Sequence, residues 1–496
     1  MYICCMESVE TITISKAQYD EFLKQKSEID FLKYQLSELK RMVFGAKRER
    51  FVPANENQTS LFDLPEDSLA KPPTENISYQ RKKPAKKQNI PVRTELPAHL
   101  KRVDEVIEPE DLNEGAIKIG ESITEILEMN ISTPYVRRII RPKYIQSQDD
   151  EQTKIVIADI PSLPIPKGNA GASMLAYILV SKYVDHLPFY RQVQILKRQN
   201  INIAESTISG WFTASCNLLK PIYEKMIETL KKSNYLQADE TPMPVLTKDK
   251  PGATHKGYFW DYHDPLSRMA VFKYEKTRGR EGPDRFLEDF SGYLQTDGYT
   301  AYNNLKKPAK IEQLACMAHA RRKFEHAKDN DPQRAEAVLV MFAKLYAIER
   351  ELRQNQADYE QIKQRRQQDA VPVLNQMKQW LDENLNQTLP KSAIGQAIAY
   401  TLSLWKRLVR YVEDARFQID NNLIENTIRP IALGRKNYLF AGSHDAAQNA
   451  AMIYSILATC KLNNINPFDY LNNTLSKISD CPANKLDDLL PQNFGV

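Results

Sequence analysis

Between residues 234 and 299 four strand signals follow one another with a helix before the last, and that order leaves few folds open. The segments are NYLQAD (234–239), KGYFWDYHD (256–264), RMAVFKYE (268–275), the helical GPDRFLEDF (282–290) and GYLQTDGY (292–299). Short runs rich in aromatic and branched residues, bounded by turns, read as strands. Three strands in hairpin connection, then a helix, then a fourth strand predict a ribonuclease-H-like α/β core. Residues 319–412 read as almost wholly helical, rich in Ala, Gln, Leu, Lys and Arg, and are expected as a large helical insertion in that core.

Two of these strands end alike. Asp239 closes YLQAD and Asp297 closes YLQTD, so neighbouring strands would hold the two carboxylates side by side. Glu425, in IDNNLIENTIRP, falls on a helix that returns after the insertion, and its longer side chain can reach strand ends. No Cys or His stands among them at metal-ligand spacing, and three carboxylates favour a hard, oxygen-seeking cation such as Mg²⁺. Two such ions about 3.5–4 Å apart activate a water or sugar hydroxyl and stabilise the leaving oxygen of an in-line phosphoryl displacement. Each residue alone has a plainer reading, Asp239 as a turn cap and Glu425 as the partner of a surface Arg. The set is what points to metal-dependent chemistry, with Asp420 as the rival third carboxylate.

Outside the core the sequence divides into binding and linking segments. Phe22, Ile29, Leu32, Leu36, Leu39 and Val43 recur at heptad spacing with Gln25 in one core position, and Ser15 with Gln18 offers a capping box. Residues 1–50 are therefore expected to form an N-terminal helix, either a short coiled coil that pairs protomers or an amphipathic helix packed on its own protein. Residues 51–95, with Arg81, Lys82, Lys83, Lys86, Lys87 and Arg93 among prolines, predict a basic flexible linker. Such a run either meets a phosphate backbone or only keeps the chain solvated.

Residues 96–160 begin acidic and pass into the β-like YVRRIIRPKYI (135–145), which predicts a small β-containing module closed by IPSLPIPKG (160–168). In the helical region 161–232, LPFYRQVQILKRQ and ESTISGWFTASCNLL are joined by NINIA, the spacing of a helix-turn-helix. Ser206, Thr207 and Ser209 would then face DNA, unless the pair is part of an α-rich core in which Trp211 and Phe212 pack. The catalytic core is divided into a first part (233–318), the insertion (319–412), a return carrying the third carboxylate (413–456) and a C-terminal tail (457–496).

Composition narrows the setting. Six cysteines, at 4, 5, 216, 316, 460 and 481, form no CxxC pair, which argues against a disulfide framework and for a reduced, cytoplasmic compartment. No apolar run approaches the roughly 18–20 residues of a membrane span, and the first ten residues lack a signal-peptide pattern. No membrane partner is expected. A net charge of +5 is too mild by itself to prove a polyanionic partner.

Five motifs stand in order: ADETP (238–242), TDGYTAY (296–302), HARRKFEHA (319–327), DNNLIENTIRP (420–430) and LGRKNYLFAGS (433–443). On these the chain resembles the transposases of the insertion sequence 66 family, DDE recombinases, and the likeness extends through RPKY (141–144), LPFYRQ (187–192) and KLNNINPFDYL (461–471). The resemblance implies that Asp239, Asp297 and Glu425 bind Mg²⁺ or Mn²⁺, two ions per active site, and that no covalent protein intermediate forms. It implies cleavage at the terminal inverted repeats and strand transfer into target DNA. His319, Arg321 and Arg322 would meet phosphates near the scissile bond, and Asn421 and Asn422 would orient Glu425 or a metal-bound water. Arg429, Arg435 and Lys436 are further DNA contacts, while His319 reads equally as a structural histidine.

Joining two ends requires two active sites, so at least a homodimer is expected on DNA, and the resemblance adds accessory proteins of the same element as partners. One departure stands out. The family's module before RPKY usually carries two cysteine pairs resembling a zinc finger, whereas no cysteine lies between Cys5 and Cys216, and Gln146 and Asp149 stand near the second pair's place. No structural zinc is expected. Two other functions compete: a catalytically silent relic that binds DNA ends, which a disrupted carboxylate would favour, and a ribonuclease-H-type nuclease, for which the N-terminal segments are surplus.

Overall fold

A computed structural model describes Glu21, Gln25, Glu28, Ile29 and Leu32, and residues 95–495 with gaps at 110–116, 131–132, 150–151, 248–252, 304 and 306–310. The five N-terminal residues are helical and exposed. The rest of the expected heptad seam, its capping box and the basic linker lie outside the described residues. Two units divide the chain, Met1–Asn89 and Ile90–Val496, and all other described residues belong to the second. No described helix is long and apolar enough to cross a membrane.

The acidic and basic segments before residue 160 pair with each other. Strands β1 (Arg102–Val106), β2 (Ile117–Asn130), β3 (Thr133–Asp149) and β4 (Gln152–Ile157) form a sheet in which the long β3 is central. It pairs with β1 in parallel and with β2 and β4 antiparallel. Register places the arginines of YVRRIIRP among the acids of β1 and β2: Arg138 lies 3.2 Å from Asp104, Arg137 3.5 Å from Glu105, and Arg102 of β1 3.1 Å from Glu125. Cross-strand opposite charges favour this register over a slipped one. The expected β framework is therefore present without the cysteines.

Helices α1 (Ala172–Tyr183), α2 (Phe189–Arg198) and α3 (Glu205–Lys231) follow. Leu127 and Gly171 tie the sheet to α1, Leu127 N–H donating to Asn169 O and Gly171 N–H to Leu127 O. At Gly171 any Cβ would collide with the buried Glu128 carboxylate, which accepts from the Ser173 hydroxyl. The helix pair expected at 187–219 forms, but α3 continues for 27 residues into the core, with Trp211, Phe212, Ile222 and Met226 buried. Its Tyr223 hydroxyl donates to Phe272 O at 2.7 Å. Ser206 remains exposed, with Thr207 and Ser209 partly so.

The second sheet comprises β5 (Tyr235–Leu246), β6 (Thr254–Asp264), β7 (Met269–Glu275), then helix α4 (Glu281–Phe286), β8 (Gly292–Thr296) and β9 (Ile311–Ala315). Its order is β7-β6-β5-β8-β9, with β5, β6 and β7 antiparallel and β5, β8 and β9 parallel. The four expected strands and the helix appear in the expected order. The fifth, β9, was not foreseen, because IEQLA has only two large apolar residues and too little alternation to signal a strand.

Helices α5 (Met317–Ala327), α6 (Pro332–Gln354), α7 (Tyr359–Arg365), α8 (Val371–Leu385), α9 (Ala393–Ser403) and α10 (Trp405–Val409) separate β9 from the returning α11 (Asn422–Tyr438). Local signals set their starts: Asp331 caps α6 ahead of Pro332, Asp358 and Gln361 make a capping box on α7, and Ser392 caps α9. Helix α11 packs on β5 and β6. Helices α12 (His444–Leu462) and α13 (Pro467–Lys477) complete the fold.

Helix α12 resolves a hazard of the sheet. Strand β7 is an edge, and its outward N–H groups at Ala270 and Phe272 donate to the hydroxyls of Thr459 and Ser455 at 3.1 and 2.8 Å. An edge covered in this way cannot pair with another chain. Within the tail expected at 457–496, residues 457–495 are folded: Tyr470, Leu471 and Leu475 enter the core beside α1, because their spacing puts one apolar face on α13.

Candidate active site

Alternation along a strand decides which side chains share a face. Cross-strand pairing sets Gln237 opposite His263 and Asp239 opposite Asp261, while Gln237 of β5 lies beside Gln295 of β8. Stepping two residues along each strand carries Asp239 and Asp297 to matching positions at the same sheet end. One face therefore bears a polar stripe, Gln237–Asp239, Asp261–His263 and Gln295–Asp297, and α11 with its preceding loop closes over it. The intervening Leu236, Ala238, Tyr262 and Leu294 face the apolar core.

Asp297 is set by a tight turn. Its Oδ1 accepts the Tyr299 N–H at 2.8 Å, and the Tyr400 hydroxyl of α9 donates to its carbonyl at 2.6 Å. Gly298 between them has φ +90°, a conformation that L side chains rarely adopt. Asp239 is half-buried, and desolvation, together with the charges of Glu240, Asp297 and Glu425, pushes its carboxyl up to about 8. Glu240 points away and pairs with Arg278.

Glu425 lies in the first turn of α11, where the helix dipole favours a carboxylate. Its Oε1 is buried without a hydrogen-bond partner, although Arg322 of α5 approaches to 3.6 Å and His319 to 4.0 Å. Burial lowers the pKa of His319, opposed by the charges of Asp297 and Glu425, and its buried Nδ1 has no hydrogen-bond partner. Asp420 is differently occupied, its two oxygens accepting the backbone and side-chain N–H groups of Asn422 at 3.0 and 2.7 Å.

The remaining expected DNA contacts differ in what they offer. Asn421 is buried, with its side-chain N–H on Ala238 O at 3.4 Å and its carbonyl oxygen unpartnered. Arg321 pairs with Glu325 on its own helix at 2.6 Å, and the guanidinium of Arg435 donates to Pro242 O. Arg429 and Lys436 are exposed on α11. Thus His319, Arg322 and Glu425 are brought together, while Arg321, Asn422 and Arg435 are engaged within the protein.

Sequence reasoning missed the residues that hold the loop before α11. Gln237 Nε2 donates to Gln295 Oε1 at 2.9 Å and to Asp420 O at 3.0 Å, and Gln295 Nε2 donates to Gln418 O at 2.8 Å. Tyr235 donates to Gln295 and accepts from Gln418 N–H. The repeated LQ-x-D of both strands was the available signal: each Gln shares its Asp's face two residues earlier. Asp261 was also missed. This fully buried carboxylate accepts from the Thr427 hydroxyl of α11, and burial raises its pKa far above the usual carboxylate range. Gln295→Leu is expected to destabilise the protein by about 1–3 kcal/mol, the cost of orphaned buried partners, as measured by urea unfolding.

This arrangement can be set beside known proteins. Residues 167–449, more than half the chain, match the family model described as Transposase IS66 family. The chain belongs to the IS66 transposase family. Residues 455–492 match the IS66 C-terminal element, and residues 32–104 match the model described as Transposase C of IS166 homeodomain. Among relatives, "Uncharacterized protein y4qI" of Sinorhizobium fredii is 34% identical over 92% of this chain and 88% of its own length. "Uncharacterized protein y4jD" of the same organism is 30% identical over 93% and 94%.

The donor set of this IS66-family site suits a hard divalent cation: carboxylates only, one with its pKa raised chiefly by desolvation and one with a buried oxygen that has no hydrogen-bond partner. Closed coordination is a separate matter. Among the described residues, no group of three or more His, Cys, Asp and Glu is gathered closely enough to hold a metal ion. Uncompensated like charges resist such close approach.

Proposed function

We propose that this IS66-family chain is a DNA transposase that cuts at the inverted-repeat ends of its element and joins them to target DNA. The single observation behind this reading is that Asp239 and Asp297 each stand two residues beyond the paired Gln237 and Gln295 of adjacent parallel strands, with α11, which carries Glu425, packed on β5. The strand order β7-β6-β5-β8-β9 supports a ribonuclease-H-like core interrupted by α5–α10. Asp239, Asp297 and Glu425 would hold Mg²⁺ or Mn²⁺, and bound cations supply the charge that activates the attacking oxygen and stabilises the leaving one.

The chain's own residues serve the phosphodiester around that centre. Arg322 offers a guanidinium to a phosphate while balancing Glu425. His319, 4.0 Å from Glu425, offers a ring nitrogen to the same phosphate. In the first step water oxygen bonds to phosphorus as the P–O3′ bond breaks, freeing a 3′-hydroxyl at the element end. In the second, that hydroxyl bonds to a target phosphorus as a target P–O3′ bond breaks; its proton passes to solvent and the leaving target 3′-oxygen takes one up, ending as a hydroxyl. Two ends require two sites, hence at least two protomers on DNA.

The test is a joining assay with full-length protein, labelled element ends carrying a 3′-hydroxyl, supercoiled target and Mg²⁺ or Mn²⁺. Cation-dependent joined product supports the reading; specific end binding with no product in any cation supports the silent relic instead. The raised pKa of Asp239 adds a pH dependence. Below about 8 this carboxyl carries a proton that a cation must displace. Mn²⁺ affinity should therefore rise about tenfold per pH unit towards pH 8 and level off above it, with one proton released, by calorimetry in two buffers. Affinity independent of pH would contradict this.

A further inference from the structure

One turn beyond Glu425 a surface begins that the carboxylate chemistry does not use. Arg429, Leu433 and Lys436 are four and three residues apart, so they share one face of α11, and all are exposed, Leu433 by 52%. Beyond the helix end, Phe440 N–H donates to Tyr438 O at 2.6 Å across Leu439, whose φ of 63° and ψ of −45° make the strained, positive-φ form of the γ-turn. A branched apolar residue rarely takes that conformation. Here the scaffold imposes it: Leu439 N–H donates to Arg435 O, Ala441 N–H to Pro244 O, and Leu246 N–H to Ala441 O. The result is that Leu439 and Phe440 stand 63% and 39% exposed.

A second element joins this surface. Arg191 of α2 donates to Asn437 at 3.1 Å, which brings the start of α2 beside the end of α11. The neighbouring Tyr190 is 51% exposed, with the Arg191 guanidinium 5.7 Å from its ring. Glu425 is the only acid on α11, so beyond the first turn the helix carries only positive charge. Apolar groups and cations thus alternate over roughly 14 Å of helix, from Arg429 to Tyr438, leading away from the carboxylates.

The base faces that complement exposed Tyr and Phe rings are stacked inside paired DNA, so a duplex offers them only where a step is opened. An unpaired strand offers both: phosphates for the cations and base faces for the rings. We propose that α11, the Leu439–Phe440 turn and Tyr190 form a track for an unpaired DNA strand leaving the active site. Arg429 and Lys436 meet its phosphates, Tyr190 and Phe440 stack on its bases, and Leu439 wedges the first open step. This rests on the transposase reading above and adds the form of DNA that the site takes.

The test is fluorescence anisotropy of the full chain with three labelled DNAs: a single strand, a blunt duplex of the element end, and the same duplex with its terminal pairs mismatched. Tyr190→Ala and Phe440→Ala are each expected to weaken single-strand and mismatched-end binding about tenfold, with blunt-duplex binding within about twofold of wild type. Phe440→Tyr, which keeps the ring, should restore binding and controls for a disturbed turn. Arg429→Ala with Lys436→Ala should weaken all three and reduce the salt slope by about two. Ring variants that bind the single strand like wild type, or lose all three DNAs equally, overturn the track. If wild type still joins ends in that case, the transposase reading stands without it; if no DNA is bound and no end joined, both fall.

Discussion

Asp239→Asn is expected to lower end cleavage and strand transfer by about a thousandfold or more while end binding survives. The basis is that bound cations contribute several kcal/mol to phosphoryl-transfer transition states, and each 1.36 kcal/mol is a factor of ten. Asn keeps the shape of the side chain and removes the charge that a cation needs. The same variant should gain stability without cation. Because the folded carboxyl is raised to about 8, its contribution to stability is present below the ordinary carboxylate range and lost as pH rises through 8. Metal-free Asp239→Asn should thus melt higher than wild type at pH 9 and by a clearly smaller margin at pH 5. Joining assays and thermal melts at both pH values check the two halves.

The largest stability effect is expected at Arg366, far from the carboxylates in sequence. Its guanidinium is buried and forms a two-pronged pair with Glu349, 2.8 Å on each side. It also donates to the carbonyls of Tyr411, Asp414 and Phe417 at 2.9–3.0 Å. These carbonyls belong to the segment that turns the chain from the helices back to α11, so one side chain fixes the approach to Glu425. Arg366→Met leaves Glu349 charged and unpaired in the interior and should cost about 3–5 kcal/mol. Adding Glu349→Met removes the orphaned charge and should recover much of the loss in urea unfolding. A single variant as stable as wild type would contradict the clamp.

What the sequence made legible follows from how local each signal is. The strands ending in Asp239 and Asp297 could be read because apolar runs and following turns are short-range features. The β-module could be read from the short-range β signal of YVRRIIRPKYI, whereas the pairing of its arginines with the acids of β1 and β2 emerged only with the register. Glu425 was legible as a helix residue, but the loop that places it was not. Gln237 and Gln295 reach Asp420 and Gln418 across more than a hundred residues, and nothing local distinguishes such glutamines from solvated ones. Asp261 was hidden in the same way. Its partner Thr427 lies on another element, and a lone Asp in a strand reads as an edge residue until register sets it opposite Asp239. Helix α3, inside the expected helical region 161–232, runs on through Pro221 because tertiary packing outweighs the lost backbone donor.

The central claim is that Asp239, Asp297 and Glu425 converge on one divalent-metal centre. Its most direct test is anomalous scattering from a crystal of the full chain with an element end and Mn²⁺. Anomalous density bounded by these three carboxylates, and absent in Glu425→Gln, is the predicted result. Density centred on Asp420 instead, or none in a crystal whose DNA end is bound, would contradict it.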